Sequence, residues 1–229
     1  MTSYDRRAQV LAFTLAVLAG YVDASGFMAV GGFFVSFMSG NSTRMAIGLA
    51  QGSDSAGIAA GLISAFVVGV IVGALAGHVA RGRRRSIVLA LVAALLAAGA
   101  ASSAAGAVGA AVTFMAMAMG AENNVFERNG EVSIGLTYMT GSLVKLGQRI
   151  VAALLGTDRL GWLPYLYLWL SFVLGAVGGA AAYPHVGLSA LWGAALVAAL
   201  LALATWSANP GTLRQQAEVR QPDGTDLQG

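Results

Sequence analysis

The sequence predicts an all-α integral membrane protein made of two inverted repeats, each with about three transmembrane helices and one broken or re-entrant half-helix. Hydrophobic residues make up 57% of the chain, charged residues make up only 10%, and the mean hydropathy is +0.74. An ordinary soluble domain is less apolar than this. Two further observations predict the architecture: apolar segments of membrane-spanning length follow one another, and a polar motif that interrupts one of them recurs in the second half.

Eight apolar segments divide the chain, each close to the ~20 residues that a helix needs to cross the hydrocarbon core. They are residues 9–29, 31–51, 58–80, 86–103, 105–125, 132–155, 162–183 and 187–206. We assign residues 1–208 to one membrane domain, with repeat 1 at 9–103 and repeat 2 at 105–206. The polar residues 209–229 are predicted to be a disordered cytoplasmic tail.

Arginine placement argues against eight crossings. Arg6 and Arg7 precede the first segment, a second cluster lies at 81–85, and such residues prefer the cytoplasmic side. Three crossings between the clusters would put them on opposite sides, whereas two would put both inside. Segment 31–51 is therefore expected to enter and leave from one side or to cross half way, and so is 132–155. Six true spans then leave both termini in the cytoplasm of a multi-pass membrane protein.

Segment 31–51 reads GGFFVSFMSGNSTRMAIGLAQ. Its apolar, aromatic start suits extended chain, but the small and polar residues at 39–43 have no obvious use in an uninterrupted membrane helix. We interpret the segment as extended chain followed by a helix that begins inside the protein, with Ser39 as N-cap and Arg44 in the first turn. Gly40 would let a ligand or another backbone come close.

The second half repeats this pattern. FMSGNSTR at 37–44 matches YMTGSLVK at 138–145, 101 residues later, and the same offset brings Asp23 onto Asn124. The chain is therefore predicted to be a duplication. Three spans per half make the halves inverted, as in many secondary transporters, whereas four would make them parallel. The glycine-rich helices also match, with Phe66, Gly69 and Gly73 on Phe172, Gly175 and Gly179.

Several motifs together resemble the YoaK family of small bacterial membrane proteins, a domain of unknown function. They are GYVDA at 20–24, FMSGNSTR at 37–44, FxxGxxxG at 66–73 and YMTGSLVK at 138–145. The resemblance covers residues 9–206 and brings almost no function with it. FFVSFMSGNSTR is also similar to the strand and half-helix of the sulfate-permease and nucleobase-transporter superfamily, whose members are longer. That similarity implies a substrate held between two opposed half-helix N-termini.

A helix that begins inside a membrane exposes about four unpaired N–H groups and the positive end of its dipole, which suits an anion or a polar solute. Thr140 is the N-cap counterpart of Ser39, and Arg44 and Lys145 add positive charge near each N-terminus. A bound anion, or Asp23 or Glu122, should compensate that charge. We predict a transporter or channel for a small polar, anionic solute bound at the midplane. The predicted binding residues are Ser39, Gly40, Asn41, Ser42, Thr43, Arg44, Thr140, Gly141, Ser142 and Lys145.

A second predicted set serves coupling or an ion pair and comprises Asp23, Glu122, Asn123 and Asn124. An ionisable residue in an apolar span is costly and by default marks a functional site. Asp23 could carry a proton coupled to solute movement or pair permanently with Arg44 or Lys145. Both roles stay open at this point, and Asp23 is our choice for coupling.

The rival function is a non-transporting membrane scaffold or assembly partner. Serine, threonine and glycine are common where membrane helices pack closely, so the polar motif could be structural. The scaffold would bind other proteins through its glycine-rich faces, which could also form a homodimer. Those glycines are Gly69, Gly73, Gly77, Gly175 and Gly179.

Other classes lack their required parts. The chain has no cysteine, and the motifs of metalloproteases, elbow hydrolases and ATP-driven pumps are missing. We therefore predict no enzyme, cofactor or metal site. A net charge of +3 concentrated in a few loops suits membrane orientation better than nucleic-acid binding. The expected partners are the lipid bilayer and a small polar or anionic solute.

Overall fold

The computed structural model describes residues 6–80, 82–128, 131–132 and 138–207. The predicted tail, 209–229, and most of the arm before the second half-helix, 133–137, lie outside these residues. The regular secondary structure of the described residues is helical apart from an antiparallel ladder of two residues in each strand. Its elements are α1 (Arg6–Ala29), α2 (Met38–Gln51), α3 (Ser55–Val79), α4 (Arg84–Ala104), α5 (Val108–Glu122), a 3-10 turn (Asn123–Phe126), β1 (Glu127–Arg128), β2 (Glu131–Val132), α6 (Met139–Leu154), α7 (Leu163–Val186), a 3-10 turn (Gly187–Ala190) and α8 (Leu191–Ser207).

The apolar segments form helices, which confirms the predicted helical class. Four helical stretches are long and apolar enough to cross a membrane: α1, α3, α4 and Leu163–Ser207, which contains both α7 and α8. Helix α5 has 15 residues, fewer than the ~20 of a full crossing. Length alone therefore supports only part of the predicted set of six spans.

Both predicted breaks are present. Helix α2 has 14 residues and α6 has 16, and each begins directly after an aromatic residue, Phe37 or Tyr138. The expectation that Ser39 and Thr140 are N-caps is wrong, because helical geometry already starts at the preceding methionine and no side chain caps either helix. The aromatic carbonyls instead accept the first helical hydrogen bonds.

The two half-helices also end alike. Gly52 after α2 and Gly156 after α6 have φ of 63° and 78°, a conformation that glycine adopts without strain. The N–H of the next residue, Ser53 or Thr157, returns to a carbonyl of the last turn at 2.9 and 3.0 Å. Each half-helix is thus closed by the same glycine turn.

Helices α1 and α7 pack closely because glycines bring their backbones together. A Cβ on Gly175 would collide with the backbone of Val17, and a Cβ on Gly179 with that of Tyr21. Since the residue numbers rise together, the two helices run parallel.

Helices α3 and α5 pack in the same way. Gly69 faces the backbone of Met117, Gly73 faces that of Ala121, and Gly77 faces the side chain of Arg84. Both glycine rows that were expected to offer faces for partner proteins are therefore filled inside the chain.

The two glycine-mediated pairs correspond residue by residue. Gly20 lies against the backbone of Phe172, and Gly120 lies against that of Phe66. Residues of α5 therefore correspond to residues of α1 at an offset of 100. Residues of α7 correspond to residues of α3 at an offset of 106.

This packing corrects one predicted match. The offset of 101 holds for Phe37 and Tyr138, which precede the half-helices, but not for the helices before them. Asp23 consequently corresponds to Asn123 rather than to Asn124. The low-complexity sequence of these helices hides the shift of one residue.

Helices α4 and α8, the last helices of the two predicted repeats, run antiparallel. The Ser86 hydroxyl near the start of α4 donates to that of Thr205 near the end of α8, at 3.0 Å. Gly99 near the end of α4 lies against Leu191 at the start of α8. Short turns also make α4 antiparallel to its chain neighbours α3 and α5.

One end of the bundle collects arginines. Arg83 lies 4.0 Å from the ring centroid of Trp206 at the end of α8, and Arg84 pairs with Glu127 after α5 at 2.7 Å. Helix α7 ends at the opposite end, where it turns into α8. Because α1 runs parallel to α7, it starts at the arginine end. Arg6 and Arg7 thus lie at the same end of the bundle as Arg83 and Arg84.

The glycine contacts predict a sharp contrast between adjacent substitutions in α7. Gly179→Val should destabilise the fold by more than the roughly 1–3 kcal/mol of ordinary overpacking, because the group it meets is backbone. Gly178→Val should stay within about 0.5 kcal/mol, because a Cβ there meets only the Tyr21 ring at 3.7 Å. Thermal unfolding of the purified variants in detergent checks this, and equal melting temperatures would contradict the α1–α7 packing.

Candidate functional site

The centre of the candidate site is the non-helical stretch 33–36, which runs back along α1 and bends at Val35 and Ser36 instead of forming the predicted extended chain. The Asp23 carboxylate accepts hydrogen bonds through Oδ1 from the N–H groups of Val35 at 2.9 Å and Ser36 at 2.7 Å. Gly26, one turn further along α1, packs against the Val35 side chain. The chain has therefore turned back to the level of Asp23 before α2 begins.

Asn41 holds the same stretch from the other side. Its Oδ1 accepts from the Phe34 N–H at 3.0 Å and its Nδ2 donates to the Phe34 carbonyl at 2.6 Å. The side chain is fully buried. This pair of bonds satisfies the N–H and C=O groups of Phe34, which have no helical partner.

The remaining polar residues of α2 face outward. Ser39, Ser42 and Thr43 are exposed. The Ser42 hydroxyl donates to the Met38 carbonyl at 2.8 Å and the Thr43 hydroxyl to the Ser39 carbonyl at 3.2 Å. Hydroxyls bonded within their own helix tolerate lipid and remain able to accept a bond from a solute.

Gly40 does not leave room for a ligand in this conformation. A Cβ there would lie 2.5 Å from the Phe37 ring and 3.0 Å from the Phe34 ring. These two rings meet edge to face with centroids 5.2 Å apart. The small residue is explained by two aromatic rings that cover the start of α2.

Arg44 is half-buried beside the non-helical stretch 33–36. Its guanidinium lies 4.9 Å from the ring centroid of Phe33 and against Gly32. No carboxylate pairs with it among the described residues. The expected pairing of Asp23 with Arg44 or Lys145 does not occur, because Asp23 is bound to backbone N–H groups instead.

The second half-helix is more open. Thr140, Gly141 and Lys145 are exposed and Ser142 is buried. A Cβ on Gly141 would meet nothing within 4 Å. Helix α6 packs against α7 as α2 packs against α3, and α2 and α6 form no packed pair in the described part of the chain.

The polar residues at the end of α5 are buried, but they do not act alike. Asn124 donates to the Val70 carbonyl of α3 at 3.1 Å, and Asn123 donates to the Met119 carbonyl at 2.9 Å. Glu122 is completely buried, and neither of its carboxyl oxygens has a hydrogen-bond partner. Two of the three side chains thus bind backbone, and Glu122 does not.

A crevice of about 310 Å³ opens between α1, the non-helical stretch 33–36 and α7. Asp23 is the only polar residue among those that line it, and no basic residue reaches it. This crevice therefore suits an apolar group rather than an anion. The other lining residues are Ala24, Phe27, Met28, Phe34, Phe172, Ala176 and Ala180.

Sequence reasoning missed the groups that Asp23 and Asn41 bind. These are main-chain atoms of Phe34, Val35 and Ser36, and backbone carries no residue-type signal. The available hint was an apolar aromatic run at 33–37 that lies between two polar side chains, Asp23 and Asn41. No group of three or more metal-ligating side chains occurs in the described ranges.

Comparison with known proteins identifies the family. The family described as "Protein of unknown function (DUF1275)" matches residues 11–204. The chain belongs to the DUF1275 family. The resemblance of the sequence motifs to the YoaK family is thereby confirmed, because YoaK is a member family of DUF1275.

Among DUF1275-like relatives, the UPF0700 transmembrane protein RA0705 of Rhizobium meliloti (strain 1021) is 35% identical over 204 residues, which cover 88% of each chain. Its description as a transmembrane protein agrees with the apolar helices, and the chain is a helical membrane protein. No solved structure matches the present chain.

The geometry predicts that Asp23 has a structural role that asparagine can partly fill. Asp23→Ala leaves two buried N–H groups without an acceptor, at a cost of about 1–3 kcal/mol each. Asp23→Asn keeps a side-chain oxygen in place and should cost less. Melting temperatures should fall in the order wild type, Asp23→Asn, Asp23→Ala, with Asp54→Ala in the exposed α2–α3 turn as an unaffected control. An alanine variant as stable as the asparagine variant would contradict the assignment.

Proposed function

We propose that the protein is a secondary transporter for a small polar solute, built from two inverted halves that rearrange around a site near the N-termini of α2 and α6. The observation that carries the proposal is the buried non-helical stretch 33–36 held by Asp23 and Asn41. Irregular backbone at membrane depth is tolerated only where it is buried in protein or lines a cavity. Transporters use such broken elements to bind solutes.

Helix directions support the inverted arrangement. Equivalent helices α4 and α8 run antiparallel, whereas a parallel duplication would orient them alike. The α1–α7 and α3–α5 contacts exchange when the halves are exchanged. Under this proposal six helices cross, α2 and α6 enter and leave from one side each, and the arginine end faces the cytoplasm of the bacterial inner membrane.

Charge supports an anionic solute. Arg44 lies in the second turn of α2 rather than in the predicted first turn, and the described part of the chain supplies no carboxylate to pair with it. Lys145 holds the matching position in α6. A bound anion would compensate both. The hydroxyls of Ser42 and Thr43 add polar contacts at the α2 end.

The scaffold alternative loses most of its proposed surface. The glycines at 69, 73, 77, 175 and 179 are occupied by contacts within the chain. On α3, Gly57 and Gly61 would leave open space around an added Cβ. A homodimer that uses this open side of α3 remains part of the proposal.

Topology gives the first test, and the absence of native cysteine provides a clean background. Ser53 and Thr157 follow the two glycine turns at equivalent positions. Ser53→Cys should react with a membrane-impermeant maleimide from the periplasm, and Thr157→Cys should react only after the cytoplasmic side is exposed. Labelling of both from the same side would rule out inversion.

Flux through liposomes gives the second test. Purified protein should move at least one solute from a panel of inorganic anions, carboxylates, neutral solutes and cations. For an anion, Arg44→Ala should raise KM tenfold or more, since hydrogen bonds to charged groups are worth about 1.5–3 kcal/mol. Arg44→Lys should have a smaller effect, because it keeps the charge without the planar fork.

Arg159→Ala, on the exposed α6–α7 loop, is the matched control and should transport like the wild type. If folded protein moves nothing in the panel, the transport proposal is wrong and the scaffold alternative takes its place. If cations alone move and Arg44→Ala leaves their KM unchanged, the anionic assignment is wrong.

A further inference from the structure

Among the residues that the structure describes, Glu122 is the one buried ionisable group that the fold does not use. It is 0% exposed, and both carboxyl oxygens lack a hydrogen-bond partner. Every other buried side-chain nitrogen or oxygen in the described ranges either has a partner or touches solvent. Asp23, the other buried acid, is held by two backbone N–H groups.

The charged groups of the surrounding helices are engaged elsewhere or lie at the surface. On α4, Arg84 pairs with Glu127 and Arg85 lies 5.3 Å from the ring centroid of Phe126. On α3 the sole titratable side chain is His78, which is exposed. On α1, Arg6 and Arg7 are exposed and Asp23 binds the non-helical stretch 33–36. None of these groups hydrogen-bonds Glu122.

An ionised carboxylate without a partner in such a site is too costly to keep. Even the neutral acid leaves its buried O–H donor unsatisfied, which is unfavourable. A leucine of similar size would fill this position more stably. The carboxyl group therefore has a purpose in a different arrangement of the helices, one in which water or solute reaches it.

We propose that Glu122 carries a proton that is taken up and released as the two halves rearrange, so that solute movement is coupled to protons. This inference rests on the transporter function proposed above. It moves the coupling role from Asp23, whose carboxylate is occupied, to Glu122. With the offset of 100, the position in the first half that corresponds to Glu122 is Val22. The position in the second half that corresponds to Asp23 is Asn123, so neither acid has an acidic counterpart in the other half. One proton per chain and cycle follows.

Two measurements on the full chain in liposomes test the proposal. Infrared spectra near neutral pH should show the carbonyl stretch of a buried carboxylic acid in the wild type. Glu122→Gln should lose that band, and the surface control Asp158→Asn should keep it. Glu122→Leu should melt at least as high as the wild type, which separates the loss of the band from misfolding.

The second measurement uses a trapped pH dye while a solute that the wild type transports moves down its gradient. Wild type should acidify or alkalise the lumen with solute entry, whereas Glu122→Gln should move solute with proton movement reduced to background. Absence of the band in wild type, or undiminished proton movement in Glu122→Gln, would overturn the role of Glu122 alone. If no solute in the panel crosses, the transporter function fails and the coupling proposal falls with it.

Discussion

The need to satisfy the backbone of residues 33–36 constrains the rest of this structure. A non-helical stretch inside a helical membrane protein lacks the regular backbone partners of a helix, and each unpaired buried N–H or C=O group is costly. Asp23 and Asn41 supply the missing partners from two helices, one on either side of the stretch. They thereby fix the depth at which α2 begins, and α2 in turn sets the position of Arg44 and the hydroxyls.

Glycine packing provides the rigid frame for this element. Backbone contacts at Gly175 and Gly69 lock α1 to α7 and α3 to α5, so each pair joins a helix of one half to a helix of the other. A rearrangement would therefore carry each of these pairs as a unit. The contacts of α2 with α3 and of α6 with α7 are less extensive, and these half-helices are the elements that a rearrangement would move at the lowest cost.

The sequence was sufficient to predict the broken elements, because a run of small polar residues is of little use to a continuous membrane helix. It also predicted that Asp23, Asn41 and Glu122 belong to a functional site, since polar residues in membrane spans are costly. Their individual roles depend on partners. Asp23 and Asn41 bind main-chain atoms, which leave no trace in residue type, and the isolation of Glu122 exists only in the packed bundle. The one-residue shift between α1 and α5 was hidden for a similar reason, because alanine-rich helices align equally well in neighbouring registers.

Asp23 and Glu122 show why burial alone does not identify a coupling residue. Both are acids in apolar helices, and a sequence offers no reason to prefer one. The structure separates them by what their oxygens bind: removal of Asp23 would strand two backbone N–H groups, whereas removal of Glu122 strands nothing. A group that stabilises the resting fold resists changes in its surroundings during a cycle. A group that the resting fold only tolerates is free to change its protonation when the helices move, and here that group is Glu122.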